Sequence, residues 1–434
     1  MGQSRFPVLR GVGAALVLSN RKRSVTPRLP KCLAGIKIQI LAGGTCLLVL
    51  LAMVPADGGG VSAQPQAWTE LQSATSPSAR AFHSMAYDAQ SDRIVLFGGN
   101  ERKPAGAFGS TGETWAYDYN NNRWTNMVPT AAPSPRDTHA VAYDEESDRV
   151  ILFGGIGPVG GTEAFSNETW AYNWNANTWT NMQPPVSPRA RLGARMAYAA
   201  SVDRVILFGG HDASEQFADT WSYEFASTTW TELTPSSGPS ARAFHTMAYD
   251  AESARIVLFG GQFFEAGTFV YFDDTWTYDG AANTWLETHP PSSPPERSAH
   301  ASVYDSSSDR VLVSGGDPGG DDTWAYDVNA NAWTKLDAPS GPSKRAGHAM
   351  AYDADSDRSV VFGGIWPYGI ITDPSLERNS ETWAFDLRAV RQIPPGPDPL
   401  WIGVAVAATG AAAAGAILFL RRRKRLRAKE RKGA

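Results

Sequence analysis

Five of the seven histidines, His83, His139, His245, His300 and His348, fall at one position of a motif that recurs six times. Imidazoles set out at a regular interval suggest a metal centre, a common use of the neutral ring nitrogen. Distance argues against it. A zinc–nitrogen bond is about 2.0 Å long, and equivalent side chains on successive repeats stand too far apart to converge on one ion. No metal is therefore expected. One copy breaks the pattern: Ala194 replaces histidine, and Arg195 follows where the others have Ser84, Ala140, Thr246, Ala301 and Ala349. An arginine at this small-residue position either reaches into the space the repeats enclose or fills the volume left by the missing imidazole.

Carboxylates are plentiful, but their setting points to turns. The Asp in the recurring Y-D-x-x-S-D is placed to cap its own backbone. Asp317-Pro318-Gly319-Gly320-Asp321-Asp322 is acidic and glycine-rich, yet spacing alone does not establish a calcium site. Asn167-Glu168-Thr169 is a glycosylation sequon that matters only in a host that glycosylates. The chain has no nucleophile elbow, no HExxH and no glycine-rich phosphate loop. No catalytic residue is assigned, and acid–base chemistry would rest on dispersed Asp or Glu.

Charge and cysteine narrow the field further. The net charge of -5 divides into +7 on residues 1–63, +8 on 399–434 and -20 between them. So acidic a body repels phosphate backbones, and no nucleic-acid partner is expected. Both cysteines, Cys32 and Cys46, precede residue 63, so the body has neither disulfide nor Cys–zinc site.

The elements that must position these residues are strands. The motif R-x-x-H-x-M-A-Y-D-x-x-S-D-R-[IV]-[IV]-L-F-G-G starts at Arg80, Arg136, Arg191, Arg242, Arg297 and Arg345. A second motif, [DE]-T-W-x-[YF]-[DEN], places Trp at 115, 170, 221, 276, 324 and 383, and a closing Trp follows nine residues later at 124, 179, 230, 285 and 333. H-x-M-A-Y reads as a first strand, R-[IV]-[IV]-L-F as a buried second, T-W-x-Y-D as a third and N-x-W-T as a fourth. Nine residues past Trp383 stands Gln392, not Trp, whereas Trp68 in QAWTELQSATSPSAR has no partner before it. The strand around Trp68 is therefore expected to complete the last unit and close the ring, which removes exposed sheet edges.

A double glycine after an apolar strand, then paired tryptophans, at about 50 residues per unit, resembles the kelch repeat. The resemblance covers roughly residues 66–388. It implies an all-β, six-bladed propeller over residues 64–390, each repeat one four-stranded blade around a central channel. On that pattern Arg195 becomes a channel candidate, the glycines permit sharp turns beside a neighbouring blade, and the Trp and Tyr rings fill the space between blades. Kelch enzymes similar to galactose oxidase use copper with a cysteine-linked tyrosine. This body lacks cysteine, so no such cofactor is expected.

What varies between repeats is the connector from the double glycine to [DE]TW, longest in the sixth copy and shortest in the fifth, DPGGDD. These loops should leave one face of the disc, where rigid scaffolds carry recognition residues. Their aromatics and one histidine, Phe108, Phe165, His211, Phe263, Phe264, Tyr271, Trp366 and Tyr368, are the candidate ligand contacts. The alternative is that they pack over their own blades.

Both ends look like membrane signals. The apolar run Ile38–Val54 follows six basic residues and precedes the cleavage-like Val54-Pro55-Ala56 and Val61-Ser62-Ala63, so residues 1–63 read as an export segment. A Pro-rich linker, 391–399, leads to 21 uncharged residues, 400–420, long enough to span a bilayer as a helix. The basic tail 421–434 should stay in the cytoplasm. The expectation is a single-pass cell-membrane protein displaying its propeller outside as a binding module for a protein or glycan. The rival is an extracellular sugar isomerase or hydrolase working at the channel mouth.

Overall fold

The strand pattern of each repeat is realised as a four-stranded antiparallel sheet, and there are six of them. In the first, Ser84–Asp88, Arg93–Phe97, Thr114–Asp118 and Arg123–Asn126 lie in that spatial order. The computed structural model describes residues 37–43, 46–52, 66–103, 107–159, 162–338, 340–366 and 377–390. The linker, the apolar segment 400–420, the basic tail and Tyr368 lie outside the described residues. Among the described residues no helix is long and apolar enough to cross a membrane. Residues 1–64 form a separate unit, in which Lys37–Gly43 pairs antiparallel with Cys46–Ala52 inside the apolar run read as an export signal.

The sixth sheet is completed from the far end of the body. Its strands are Ala349–Asp353, Arg358–Phe362, Thr382–Phe385 and, outermost, Trp68–Leu71, with Trp68 opposite Phe385. The unpaired Trp68 segment thus has the partner its sequence lacked. The first strand of each sheet neighbours that of the next, and the sixth returns to the first.

Second strands carry apolar side chains on both faces because both faces are covered. One apolar cluster fills each of the six junctions between adjacent sheets. At the junction of the first two sheets, Trp179 lies edge-on to Phe97 at 5.2 Å and tilted on Tyr172 at 5.1 Å. Its buried indole N–H needs an acceptor, and it donates to Thr114 Oγ1 of the preceding sheet at 3.0 Å. Trp230, Trp285 and Trp333 bond Thr169, Thr220 and Thr275 in the same way.

The double glycine answers to the histidine. Gly98 and Gly99 have φ of +68° and +100°, and a Cβ on Gly98 would stand 2.5 Å from the Arg136 carbonyl oxygen and 3.0 Å from the His139 ring. On Gly99 it would meet the Cβ of His83 at 2.8 Å. In the first, fourth, fifth and sixth sheets the pair leaves room for its own histidine and for that of the next sheet; around the third, Ala194 stands in the histidine's place. The turn aspartates do cap their own backbone: Asp88 Oδ1 accepts from the amides of Gln90 and Ser91.

Candidate functional site

The six motif arginines are not available for chemistry. Arg80, Arg136, Arg191, Arg242, Arg297 and Arg345 are almost wholly buried. Each donates to the carbonyl of the first glycine of its own repeat, as Arg242 does to Gly260 at 3.0 Å. Each also pairs with the acid before TW: Glu113, Glu168, Asp219, Asp274, Asp322 and Glu381, at 2.5–2.8 Å. The same carboxylate accepts the following indole N–H, Trp276 to Asp274 at 2.8 Å for one. A buried charge persists only when so paired and hydrogen-bonded. This also accounts for Asp322 in the acidic stretch, while Asp317 accepts from the Tyr271 hydroxyl at 3.1 Å.

Around the centre runs a closed circuit of six backbone hydrogen bonds. Phe82 donates to Gly347, Gly347 to Ala299, Ala299 to Phe244, Phe244 to Gly193, Gly193 to Thr138 and Thr138 back to Phe82, over 2.6–2.9 Å. All six residues have positive φ, between 51° and 69°, and they precede the first strands. The circuit lies at the connector end, where Phe82 and Phe244 cluster with Ile365, Ile156 and Phe165.

Beside it, the first strands enclose a cavity of about 130 Å³ to which all six sheets contribute, among them His83, His139, His300, His348, Ser84 and Arg195. Arg195 therefore lines the central space, while Ala194 takes the histidine position against Gly210. Burial holds the imidazoles well below their usual titration range, down to about 3 for His139 and His348. Nearby cations push the same way: Arg80 at His83, and Arg195 at His139, His245 and His300. The histidines are neutral packing groups at neutral pH. His300 is the one whose Nε2 meets a hydroxyl, Thr246 Oγ1 at 2.9 Å.

The connectors are chiefly hairpins leaving the sheets at this end, and they link side to side. Arg378 of the sixth donates to the backbone oxygen of Asn100 in the first and lies 3.6 Å from the Phe108 ring centre. Asn100 and Ser110 donate to Asp137, whose carboxyl burial lifts to about 6. Phe165 and His211 are 6.4 Å apart, and His211 in turn stands 6.1 Å from Phe244. Gln216 donates to the Phe264 carbonyl at 3.0 Å. Trp366 lies beneath the Lys344 ammonium, 5.6 Å from its ring centre. Phe108, Phe165, His211, Phe263, Tyr271 and Trp366 are all half-buried.

Phe264 differs: it is 51% exposed, on the hairpin Gln262–Glu265/Thr268–Tyr271. Phe269, 50% exposed, stands opposite it at 5.0 Å between ring centres, and Val270 beside it is 45% exposed. Phe269 and Val270 were missed by the sequence reading, as were Asp137 and Arg378. The signal was there: TFVY is wholly β-branched or aromatic, as strands favour, after a turn at Ala266-Gly267, and Asp137 stands where other repeats have Ala81, Leu192, Ala243, Ser298 or Ala346.

The chain matches the KLHDC2/KLHL20/DRC7 Kelch-repeats domain over residues 61–261, 183–364 and 255–398. It is 31% identical over 182 residues to the dynein alpha chain of the flagellar outer arm from Chlamydomonas reinhardtii, 39% of this chain and 4% of that protein. It is 32% identical over 135 residues to the N-(sulfonatooxy)prop-2-enimidothioate sulfolyase of Thlaspi arvense, 30% and 36% of the two. With mouse multiple epidermal growth factor-like domains protein 8 it shares 28% identity over 278 residues, 59% and 9%. The chain spans well under half the length of these relatives. Since the matched residues run nearly unbroken through all six sheets, this chain belongs to the kelch-repeat family.

Proposed function

We propose that this chain is a six-bladed propeller displayed outside the cell on a C-terminal anchor, binding a protein partner through its connector face. Kelch repeats form protein-interaction β-propellers. The observation that carries it is the apolar hairpin. Phe264, Phe269 and Val270 hold large hydrophobic surface in water on a scaffold whose other described connector aromatics are half-buried or buried. Aromatic side chains that anchor interfaces commonly dominate binding energy. Display outside the cell is supported by the basic-then-apolar leader and by the 21-residue apolar segment before a cationic tail.

The enzyme reading has less to stand on. Catalysis needs acid and base groups converging in one pocket. The central cavity presents buried neutral imidazoles, methionines, small side chains and Arg195, with no carboxylate among its lining residues. The sulfolyase relative keeps an enzyme on related repeats in view, over 30% of this chain. The test is photo-crosslinking on producing cells with a photoreactive residue at position 264 or, as control, at Leu286, exposed on an outer strand. Protein adducts are expected from 264 and not from 286. Equal labelling at both, or none at 264, rejects this face.

A further inference from the structure

We propose that the partner adds to the connector face as an extended strand alongside Thr268–Tyr271, and that this strand alternates apolar with basic side chains. This mode of binding rests on the connector-face reading and fixes the chemistry of the occupant. The hairpin Gln262–Glu265/Thr268–Tyr271 turns at Ala266 and Gly267, whose φ are 51° and 85°. Beside such a two-residue turn the flanking pair, here Glu265 and Thr268, is hydrogen-bonded across the hairpin. Alternation then points the backbone N–H and C=O of Gln262 and Phe264 away from the hairpin on one side, and those of Phe269 and Tyr271 away on the other. The first side is taken: Gln262 exchanges two bonds with Ala243 at 2.9 Å, and the Phe264 carbonyl accepts from Gln216. On the second side no hydrogen bond from a described residue reaches the backbone of Phe269 or Tyr271. Thr268, Phe269 and Val270 are all exposed there.

The neighbouring connectors account for the open edge. In the first hairpin the second strand, Phe108–Ser110, lies against Ile156–Val159 of the second connector. In the second hairpin it is Thr162–Phe165, which carries Glu163 and meets His211 of the third connector through Phe165. The connector after the fourth hairpin is DPGGDD, which forms no hairpin. It touches the base of the edge where Asp317 accepts from the Tyr271 hydroxyl at 3.1 Å. Open edges are normally guarded by a charge or a proline, and TFVY has neither. Such an edge is a template for another strand, whose main chain supplies affinity and whose alternate side chains supply specificity.

Register sets what the added strand must carry. Phe264, Phe269 and Tyr271 share one face, with successive ring centres 5.0 and 6.4 Å apart, so every second partner side chain meets aromatic surface. The other face carries Val270 and, at the tip, Glu265. Glu265 is exposed, and Glu296 and Asp317 stand close to the Tyr271 hydroxyl. None of the three carboxylates has an ion pair among the described residues, in a body that is acidic overall. Basic side chains in the partner complement them.

The probe is a peptide of alternating lysine and valine, about eight residues long and so within the usual strand range. Its fluorescent form is titrated with the full-length chain in mild detergent at physiological ionic strength. One saturable site per chain is expected. The same peptide with its backbone amides N-methylated, and a glutamate–valine counterpart, should each bind at least about tenfold more weakly. Phe269→Pro removes an N–H that no hairpin bond uses, a position where an edge strand tolerates proline. It should weaken binding about tenfold beyond the effect of Phe269→Ala. Equal affinity of these two variants, or of the methylated and unmethylated peptides, overturns strand addition; the peptide comparison uses the wild-type chain and stands even if Phe269→Pro does not fold. Equal binding of the glutamate peptide overturns the basic partner, and no binding of the lysine peptide overturns the whole proposal. A protein adduct at position 264 without peptide binding would keep the connector face and reject strand addition, so the two readings fail separately.

Discussion

Trp124 donates its indole N–H to Thr382 Oγ1 across 3.0 Å, joining residues 258 positions apart in the chain. The same bond ties every other closing tryptophan of the five complete repeats to the sheet before it. Here it ties the first sheet to the last. The seam is thus built like any other junction, although one of its sheets borrows its outer strand from the opposite end of the body.

Removing Gln66–Thr75 should therefore be severe. It deletes Trp68, which is 1% exposed and packed 4.7 Å from the Phe385 ring, and it bares the edge strand Thr382–Phe385. We expect aggregation or a melting temperature lowered by many degrees in thermal denaturation. A melt within about 2 °C of the parent, worth well under ~1 kcal/mol for a chain this size, would show that closure contributes little.

Replacing one buried arginine should cost about as much as breaking a buried ion pair, about 3–5 kcal/mol. Arg242→Ala strips both bonds to Asp274, at 2.6 and 2.8 Å, and the bond to Gly260. Arg242→Lys keeps the charge but cannot reproduce the fork, so it should recover only part. Urea denaturation of the two variants measures this. A loss below 1 kcal/mol for the alanine variant would mean that the pair is not a structural tie.

Stability should fall with pH before the carboxylates titrate. The buried histidines have folded pKa values below the ordinary 6.5, about 3 for His139 and His348, because burial disfavours the charged ring. Unfolded chains therefore take up protons first. The stabilisation is complete above about pH 6.5 and is lost as pH falls toward 3, at up to about 1.4 kcal/mol per unit for each histidine. Chemical denaturation at pH 7.5, 6.5 and 5.5 should show the decline, and His348→Ala should make it shallower by about a fifth. A flat profile over that interval would mean that the rings protonate in place.

Much of this was legible in the sequence because the repeat converts register into position. His-x-Met-Ala-Tyr, the apolar second strand and the paired tryptophans each occur often enough to fix strands and junctions, and the missing Trp after Trp383 identified the strand around Trp68 as its replacement. The connectors were less legible. Phe108 and Trp366 read as exposed aromatics, but Arg378 and Lys344 come from elsewhere in the chain to lie against them. Nothing local encodes such contacts. The motif Arg likewise carried no role in the sequence, since its carboxylate partner lies 25 to 36 residues away.

The proposed topology has a direct consequence. Protease added to intact cells should cut the body or the linker at Pro394–Pro399 and spare an epitope on Ala434. Loss of that epitope, with cells intact, would reverse the orientation.

The most direct measurement is the affinity of the partner crosslinked at position 264 for the wild-type chain and for Phe264→Ala/Phe269→Ala. Both rings are exposed, so their removal should leave the melting temperature within about 2 °C while weakening binding by roughly 2 kcal/mol or more, about thirtyfold in Kd. Unchanged affinity in a folded double variant would contradict the account and move recognition away from this hairpin.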